Sequence, residues 1–440
     1  MRHLAPMHGR LAARAGPVAT RRWLDRTFAS LGNRNYRRFF VGQLVSLVGT
    51  WMQTVALSWL VLQLTGSATM IGLVVAVQTL PVLLLAPYGG LVADRFDKRR
   101  VLLGTQSTLA LLAAVLGTLV LSHSVRLWMV LVVALCIGTT NSVDNPTRQS
   151  FVPEMVGTDA VSNAVSLNSV MSSAARAVGP AIAGVFIVGV GVGGCFLLNA
   201  ASFVAVLVAL AGMDPKRLVR TGGVTHTPGQ IIEGFRYVRR TPRLLIPLTM
   251  MAVIGALSYE FQVVLPVLAE HTFHKSAEGY GFFTAAFGFG SVIGGLVVAS
   301  RRAKGLRAVT LAAGVFGVTM LGAALAPTFV LELVALGLVG AGSVSFMARG
   351  NTAIQLTAED DMRGRVMALW AIAFTGTTPF GGPIIGYVSE HASPRWGLAI
   401  GGFAALFATT LFIIPHFRQT SPRHRSAAET HQLPLGVGPS

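Results

Sequence analysis

Apolar runs of about twenty residues recur along this chain, separated by short polar stretches, and that repeat limits what it can fold into. A helix needs about 20 mostly apolar residues to cross the hydrocarbon of a bilayer. Runs at roughly 39–64, 70–93, 101–121, 127–147, 163–189 and 192–212 meet that length, and so do 244–269, 278–300, 306–326, 329–350, 366–389 and 394–416. Gly189, Gly191, Gly193 and Gly194 mark a tight turn between the fifth and sixth runs. Only 12% of the residues are charged and 52% are hydrophobic, whereas soluble domains carry about a quarter charged residues. A chain of 440 residues with that balance cannot hide its apolar surface in one soluble core. The expectation is an all-α polytopic membrane protein with about twelve transmembrane helices.

Twelve spans place both termini on one face of the membrane, and the basic residues test that count. Arg126, Lys275 and Arg395 are the only Lys or Arg in loops of one face, and Arg176 is the only one deep inside a span, Arg307 and Arg349 lying at run ends and counting with the adjoining loops. All the others fall in loops and tails of the opposite face. Cytoplasmic loops carry such an excess of Lys and Arg. Both termini are therefore expected in the cytoplasm, across a bacterial-type inner membrane. The formal net charge of +18 raises nucleic acid as a partner. The basic residues instead come in short clusters between apolar runs, without the interleaved aromatics of a nucleic-acid platform. Residues 1–38 read as a basic cytoplasmic tail and not as a secretory signal. Cys136 and Cys195 lie within apolar runs, as small buried hydrophobes do.

The chain divides into two halves, 39–212 and 244–416, joined by a cytoplasmic linker at 213–243 and followed by a tail at 417–440. In the linker, Ile231, Ile232, Phe235 and Val238 share a face opposite Arg236, Arg239 and Arg240, the pattern of an amphipathic helix lying on the membrane surface. The halves echo each other about 205 residues apart: Gly90-Leu91-Val92 recurs at Gly295-Leu296-Val297, and Gly179-Pro180 at Gly382-Pro383. Repeated halves with a binding site between them are a transporter trait.

After the second run comes Gly90-Leu-Val-Ala-Asp94-Arg95-Phe-Asp97-Lys98-Arg99-Arg100. This resembles the signature loop of the major facilitator superfamily. The stretches at 33–67 and 80–100, with 144–156 and 360–370, resemble the branch that contains enterobactin exporters and macrolide efflux proteins. The resemblance covers about residues 28–416 and implies two pseudo-symmetric six-helix bundles. It also implies a gating role for the loop, with Gly90 allowing close helix approach, Asp94 near a helix end and Arg148 as its partner. Ala299 stands near the Asp position of the second half, so that copy of the loop is degenerate. In the fifth run, Arg176-Ala-Val-Gly179-Pro180-Ala-Ile-Ala-Gly184 resembles a motif characteristic of exporters in this superfamily. Gly and Pro there permit close packing and a bend.

Ionisable side chains inside a membrane are costly, and a functional role is the default reading of one. Arg176 lies near the middle of the fifth run and Glu260 within the seventh. Glu260 is the candidate for proton coupling. Relatives that carry an Asp in the first span differ here, where Thr50 stands, and the superfamily's Arg within the fourth span is missing. Gln43, Trp51, Gln53, Trp59 and Gln78 are candidates for the wall of a cavity for an amphipathic substrate. Interhelical hydrogen bonding and interface anchoring explain the same residues equally well.

A nucleotide-driven pump would need a phosphate-binding loop of the Gly-x-x-x-x-Gly-Lys-Ser/Thr type, and a membrane enzyme would need a motif such as His-Glu-x-x-His. The sequence contains neither. The expected activity is secondary active transport, as a proton-coupled exporter of a small amphipathic molecule such as a drug, siderophore or secreted metabolite. No metal, cofactor or nucleic acid is expected to take part, and the protein is expected to be a monomer. Uptake and lipid flipping are alternatives on the same scaffold.

Overall fold

The computed structural model describes residues 28–157, 160–219, 230–300, 305–359 and 361–419. The basic tail, the middle of the linker and most of the C-terminal tail lie outside these residues. Helix α1 (Arg34–Thr65) starts where the Asn33 side chain accepts from the amides of Asn35 and Tyr36, and ends at Gly66 with a left-handed φ of 63°. Gly tolerates that conformation without the Cβ clash other residues meet. Ser67 caps α2 (Ala68–Arg95), and Asp97 caps α3 (Lys98–Leu121). Then follow α4 (Leu127–Val156) and α5 (Val161–Ala211). Straight, the 51 residues of α5 would reach about 77 Å at 1.5 Å each, more than twice the hydrocarbon thickness. Gly191, at φ 75° and ψ 172°, breaks α5 into two spans, as the glycine-rich turn predicts.

The second half holds α6 (Gln230–Arg240), α7 (Pro242–Ser258), α8 (Phe261–Val267), α9 (Ala277–Ser300) and α10 (Leu306–Ala324). After these come α11 (Phe329–Thr357), α12 (Arg363–Thr375), α13 (Thr378–His391) and α14 (Pro394–Gln419). Two spans expected as continuous helices are broken. The seventh is interrupted at Tyr259 and Glu260 between α7 and α8, and the eleventh at Gly376 and Thr377 between α12 and α13. Ten stretches among the described residues are long and apolar enough to cross a membrane. Counting α5 twice, and α12 with α13 as one further span, gives the expected twelve.

In the first bundle α1 packs on both segments of α5, α2 on α4, and α3 on α5; in the second, α9 and α10 pack on α11, and α14 on α10 and α7. Two seams join the bundles, α2 against α13 and the first segment of α5 against α9. Both are built on glycine. A Cβ on Gly72 would strike the Gly382 backbone, and one on Gly386 would come 2.5 Å from the Ala68 carbonyl oxygen. In the other seam, a Cβ on Gly281 would come 2.5 Å from the Gly184 Cα, and one on Gly288 would come 2.6 Å from the Ala177 Cα. Small residues let membrane helices approach backbone to backbone, which is how such helices associate without a hydrophobic driving force.

These approaches lie at mid-depth or toward the side away from the chain termini, the far side. There Glu390, at the end of α13, accepts from the Ser67 hydroxyl at 2.5 Å and the Thr69 amide at 2.9 Å. A carboxylate of one bundle thus caps the N-terminus of a helix in the other, where the helix dipole favours negative charge. On the terminal side, α6 docks on its own bundle. Glu233 pairs with Arg365 at 3.0 Å and Val238 is buried. Ile232 and Phe235 stay exposed, as a surface-lying helix requires. The Ile231 side chain lies outside the described residues.

Candidate functional site

Glu260 sits at the break in the seventh span. Ser258 ends α7 and donates its hydroxyl to the Gly401 carbonyl at 2.7 Å. Tyr259 donates its hydroxyl to the Ser343 carbonyl at 3.0 Å, and its ring packs on Phe316 and Phe374, with centroids 5.4 and 5.1 Å away. The Glu260 backbone, at φ −84° and ψ 39°, leaves the helix here, and its carbonyl accepts from Val263 and Val264 to start α8. Its side chain is 4% exposed, and Oε1 has no hydrogen-bond partner. The carboxylate rests on the glycines of α13: a Cβ on Gly381 would come 3.0 Å from Oε1, and one on Gly382 would come 3.5 Å from Oε2. Gly382 is also the residue that Gly72 grips from the other bundle. Gly382, expected as part of a weaker echo of the exporter-like motif, therefore forms with Gly381 the floor under Glu260.

Arg176 extends from the first segment of α5 into the space between the bundles. Its guanidinium lies 4.9 Å from the centroid of the Trp51 ring in α1, inside the range of a cation–π contact. Tyr259 of the second bundle lies near it. Gly179, one turn on, makes this possible: a Cβ there would come 2.6 Å from the Trp51 Cβ. Pro180 and Gly184 lie on the adjoining face of the helix and pack on Gly281 of α9.

Thr54 and Ser58 follow Trp51 on α1 at helical spacing. With Gln78 of α2, Gln262 of α8 and apolar side chains including Ile71 and Val74, they line a cavity of ≈ 10 Å³, room for about one water. Ser58 also hydrogen-bonds Tyr280 of α9 across the bundles. Of the five residues expected in a cavity wall, Trp51 and Gln78 face the space between the bundles. Gln43 and Trp59 are buried. Gln53 accepts from the Asn199 amide at 2.6 Å, which fixes it on the second segment of α5.

The signature loop works inside the first bundle. The close approach expected of Gly90 is made by Gly89, where a Cβ would strike the Ser142 backbone; Gly90 faces open space. Neighbouring residues on a helix point about 100° apart, so one position of register separates the packed face from the free one. Asp94, Arg95 and Arg100 are exposed. Asp97 caps α3 through the Arg100 amide at 3.0 Å. Lys98 pairs with Glu154 of α4 at 2.5 Å, both side chains buried. Arg99 donates to the carbonyls of Leu210 and Ala211 at 2.6 and 2.8 Å, at the C-terminus of α5, where a cation is favoured. Arg148 donates to Asn145 at 2.7 Å and lies 3.8 Å from Asp144. Asp144 also accepts from Thr105 at 2.6 Å and Gln106 at 2.8 Å.

Sequence reasoning passed over Tyr259, Tyr280, Glu390 and Glu332. The last is 1% exposed, with neither carboxylate oxygen hydrogen-bonded, in the first turn of α11. Only its position at the edge of a run marked it, and that position also suits an ordinary helix start. Among the described residues no group of three or more His, Cys, Asp or Glu could hold a metal ion.

The sequence matches the profile of the transmembrane secretion effector family over residues 25–435. It is 25% identical over 379 residues to the staphyloferrin A transporter of Staphylococcus aureus, covering 85% of this chain and 94% of that one. It is 24% identical over 405 residues to the enterobactin exporter EntS of Escherichia coli, covering 88% and 94%. The fold is similar to that of the solved nucleoside transporter NupG, with a TM-score of 0.68 at 13% identity, covering 86% of this chain and 98% of that one.

Proposed function

From the premise that this chain belongs to the transmembrane secretion effector family of major facilitator transporters, we propose that it is a proton-coupled exporter. It moves a small amphipathic molecule out across the inner membrane by alternating access. The observation that carries this reading is the place of Glu260. Its carboxyl is enclosed at a helix break, without a hydrogen bond on Oε1, on glycines that belong to an inter-bundle seam. A proton gained or lost there acts directly on the contact that must open and close. The export direction is supported by the exporter-like motif at Gly179, Pro180 and Gly184, and by the printed role of the enterobactin relative.

With the basic loops in the cytoplasm, the far side is the outer face, and the Glu390 cap then closes the outer end. The cycle needs that end to release while the terminal side closes, with the α2–α13 and α5–α9 seams as the surfaces that rearrange. The signature loop, through Lys98 and Arg99, ties α3 to the ends of α4 and α5, so the first bundle moves as one body.

Efflux of dyes and drugs from cells lacking their own pumps, with and without a protonophore, tests the activity. Efflux should depend on the protein and collapse with the protonophore. In proteoliposomes, Glu260→Gln should abolish uphill transport while downhill exchange continues. Proton-driven uphill transport retained by Glu260→Gln would reject this residue as the coupling site.

A further inference from the structure

Arg176 carries its charge where an unpaired charge is hardest to keep. An Arg at the centre of a membrane helix costs roughly 2.5–3.5 kcal/mol on insertion scales. Among the described residues it has no carboxylate within salt-bridge distance; its guanidinium lies over the Trp51 ring, 4.9 Å from the centroid. Trp51 holds the guanidinium, and the side chain remains exposed to the space between the bundles. A cation so placed is built to receive a counter-charge from outside the protein.

The arrangement also selects the shape of that counter-charge. Guanidinium is planar and presents its N–H donors along the edge in a rigid fork. A guanidinium held over an indole ring by a cation–π contact keeps N–H donors for another partner and loses less freedom when it binds. A carboxylate, planar with two acceptor oxygens, meets the fork with two parallel hydrogen bonds. Trp51 continues along α1 into Thr54 and Ser58, and Gln78 and Gln262 face them. Neutral donors therefore lie on one side of Arg176, with the apolar surface of Ile71 and Val74 beside them. Tyr259 of the second bundle lies near the same point.

We propose that Arg176, held over Trp51, is the site that binds a carboxylate of the transported molecule, so that the substrate is an organic acid with an apolar or aromatic body. This deepens the exporter reading and rests on it. The negative charge comes from the cargo, which replaces the missing counter-ion when the site is filled.

The test separates binding from transport. Carboxyfluorescein, an aromatic carboxylate, is titrated against the purified full-length protein by fluorescence anisotropy, with ethidium as the cationic comparison. The native protein should bind carboxyfluorescein, and Arg176→Gln should weaken that binding roughly 10- to 100-fold, the loss of a charge-assisted hydrogen-bond pair. Arg176→Lys should recover part of it, since the charge remains but the fork does not. Thermal unfolding of each variant, within a few degrees of the native protein, establishes that the loss is local. Equal carboxyfluorescein affinity in Arg176→Gln, or no binding by the native protein, would overturn the carboxylate site. Protonophore-sensitive efflux of ethidium by the same preparation would then leave the exporter reading standing, while absence of any driven flux alongside intact, Arg176-dependent binding would reject the exporter reading alone.

Discussion

Lys98 and Glu154 meet at 2.5 Å with side chains 9% and 10% exposed, so neither has water to fall back on if the other is removed. Breaking a buried pair from one side costs about 3–5 kcal/mol, because a charge is left without a partner. Lys98→Met should therefore lower the melting temperature of the detergent-solubilised protein, and the double variant Lys98→Met with Glu154→Leu should recover much of the loss. A double variant no more stable than the single one would show that the residues act separately. At this scale the sequence told which charges matter more than what they do. The basic cluster at 95–100 was plain, and Lys98 and Arg99 proved to be bundle-internal ties. The partners, Glu154 and the last carbonyls of α5, lie about 56 and 111 positions away, and no local pattern carries that information. Gly89 and Gly90 make the same point, since a one-residue difference in helical facing decides which of them packs.

Helix existence was legible because hydrocarbon thickness fixes span length, and every expected span has its helix or pair of helices. The breaks at Tyr259–Glu260 and Gly376–Thr377 were not. Hydropathy averages over about twenty residues, and two residues that leave the helix inside an apolar run hardly change it. The seams were hidden for a similar reason: the repeat of Gly-Pro between the halves was visible, but which helix each glycine faces is a property of the assembled bundles. The seams make a firm prediction. In Gly281→Leu the added side chain would meet the backbone of Gly184, where a Cβ already comes within 2.5 Å and nothing flexible can yield. The variant should insert in the membrane in normal amount and lose most transport. Cysteines placed at Ser67 and Glu390, in a background without Cys136 and Cys195, report far-side closure. Their disulfide yield should fall in Gly281→Leu, and an unchanged yield would mean that the two seams close independently.

At the scale of the whole molecule, the two bundles are tied across the far side by Glu390. Slight burial works against its ionisation, but hydrogen bonds from Ser67 and Thr69 outweigh that and hold its carboxyl below the ordinary carboxylate range. The depressed value belongs to the closed far side. The stabilisation it brings is therefore complete above the ordinary carboxylate range and is lost only as the pH on the far side falls through the lower value. Far-side cross-linking between other cysteine pairs, with Glu390 intact, should stay constant from neutral pH down to the ordinary carboxylate range and decline below it. In Glu390→Gln it should be lower throughout and insensitive to pH. The overall fold followed from the apolar runs, whereas this contact joins residues more than 320 positions apart, and no local pattern carries it.

The glycine seams have an energetic consequence for a machine run by an ion gradient. Where backbone lies directly on backbone, there are few side chains to unpack, and parting the surfaces trades protein contact for lipid or water contact over a small area. The two end states can then lie close in free energy, with a low ridge between them. One elementary charge crossing the membrane releases about 2.3 kcal/mol per 100 mV. A transporter hinged on interlocked leucines would ask more of such a gradient for each stroke than one that slides on glycine.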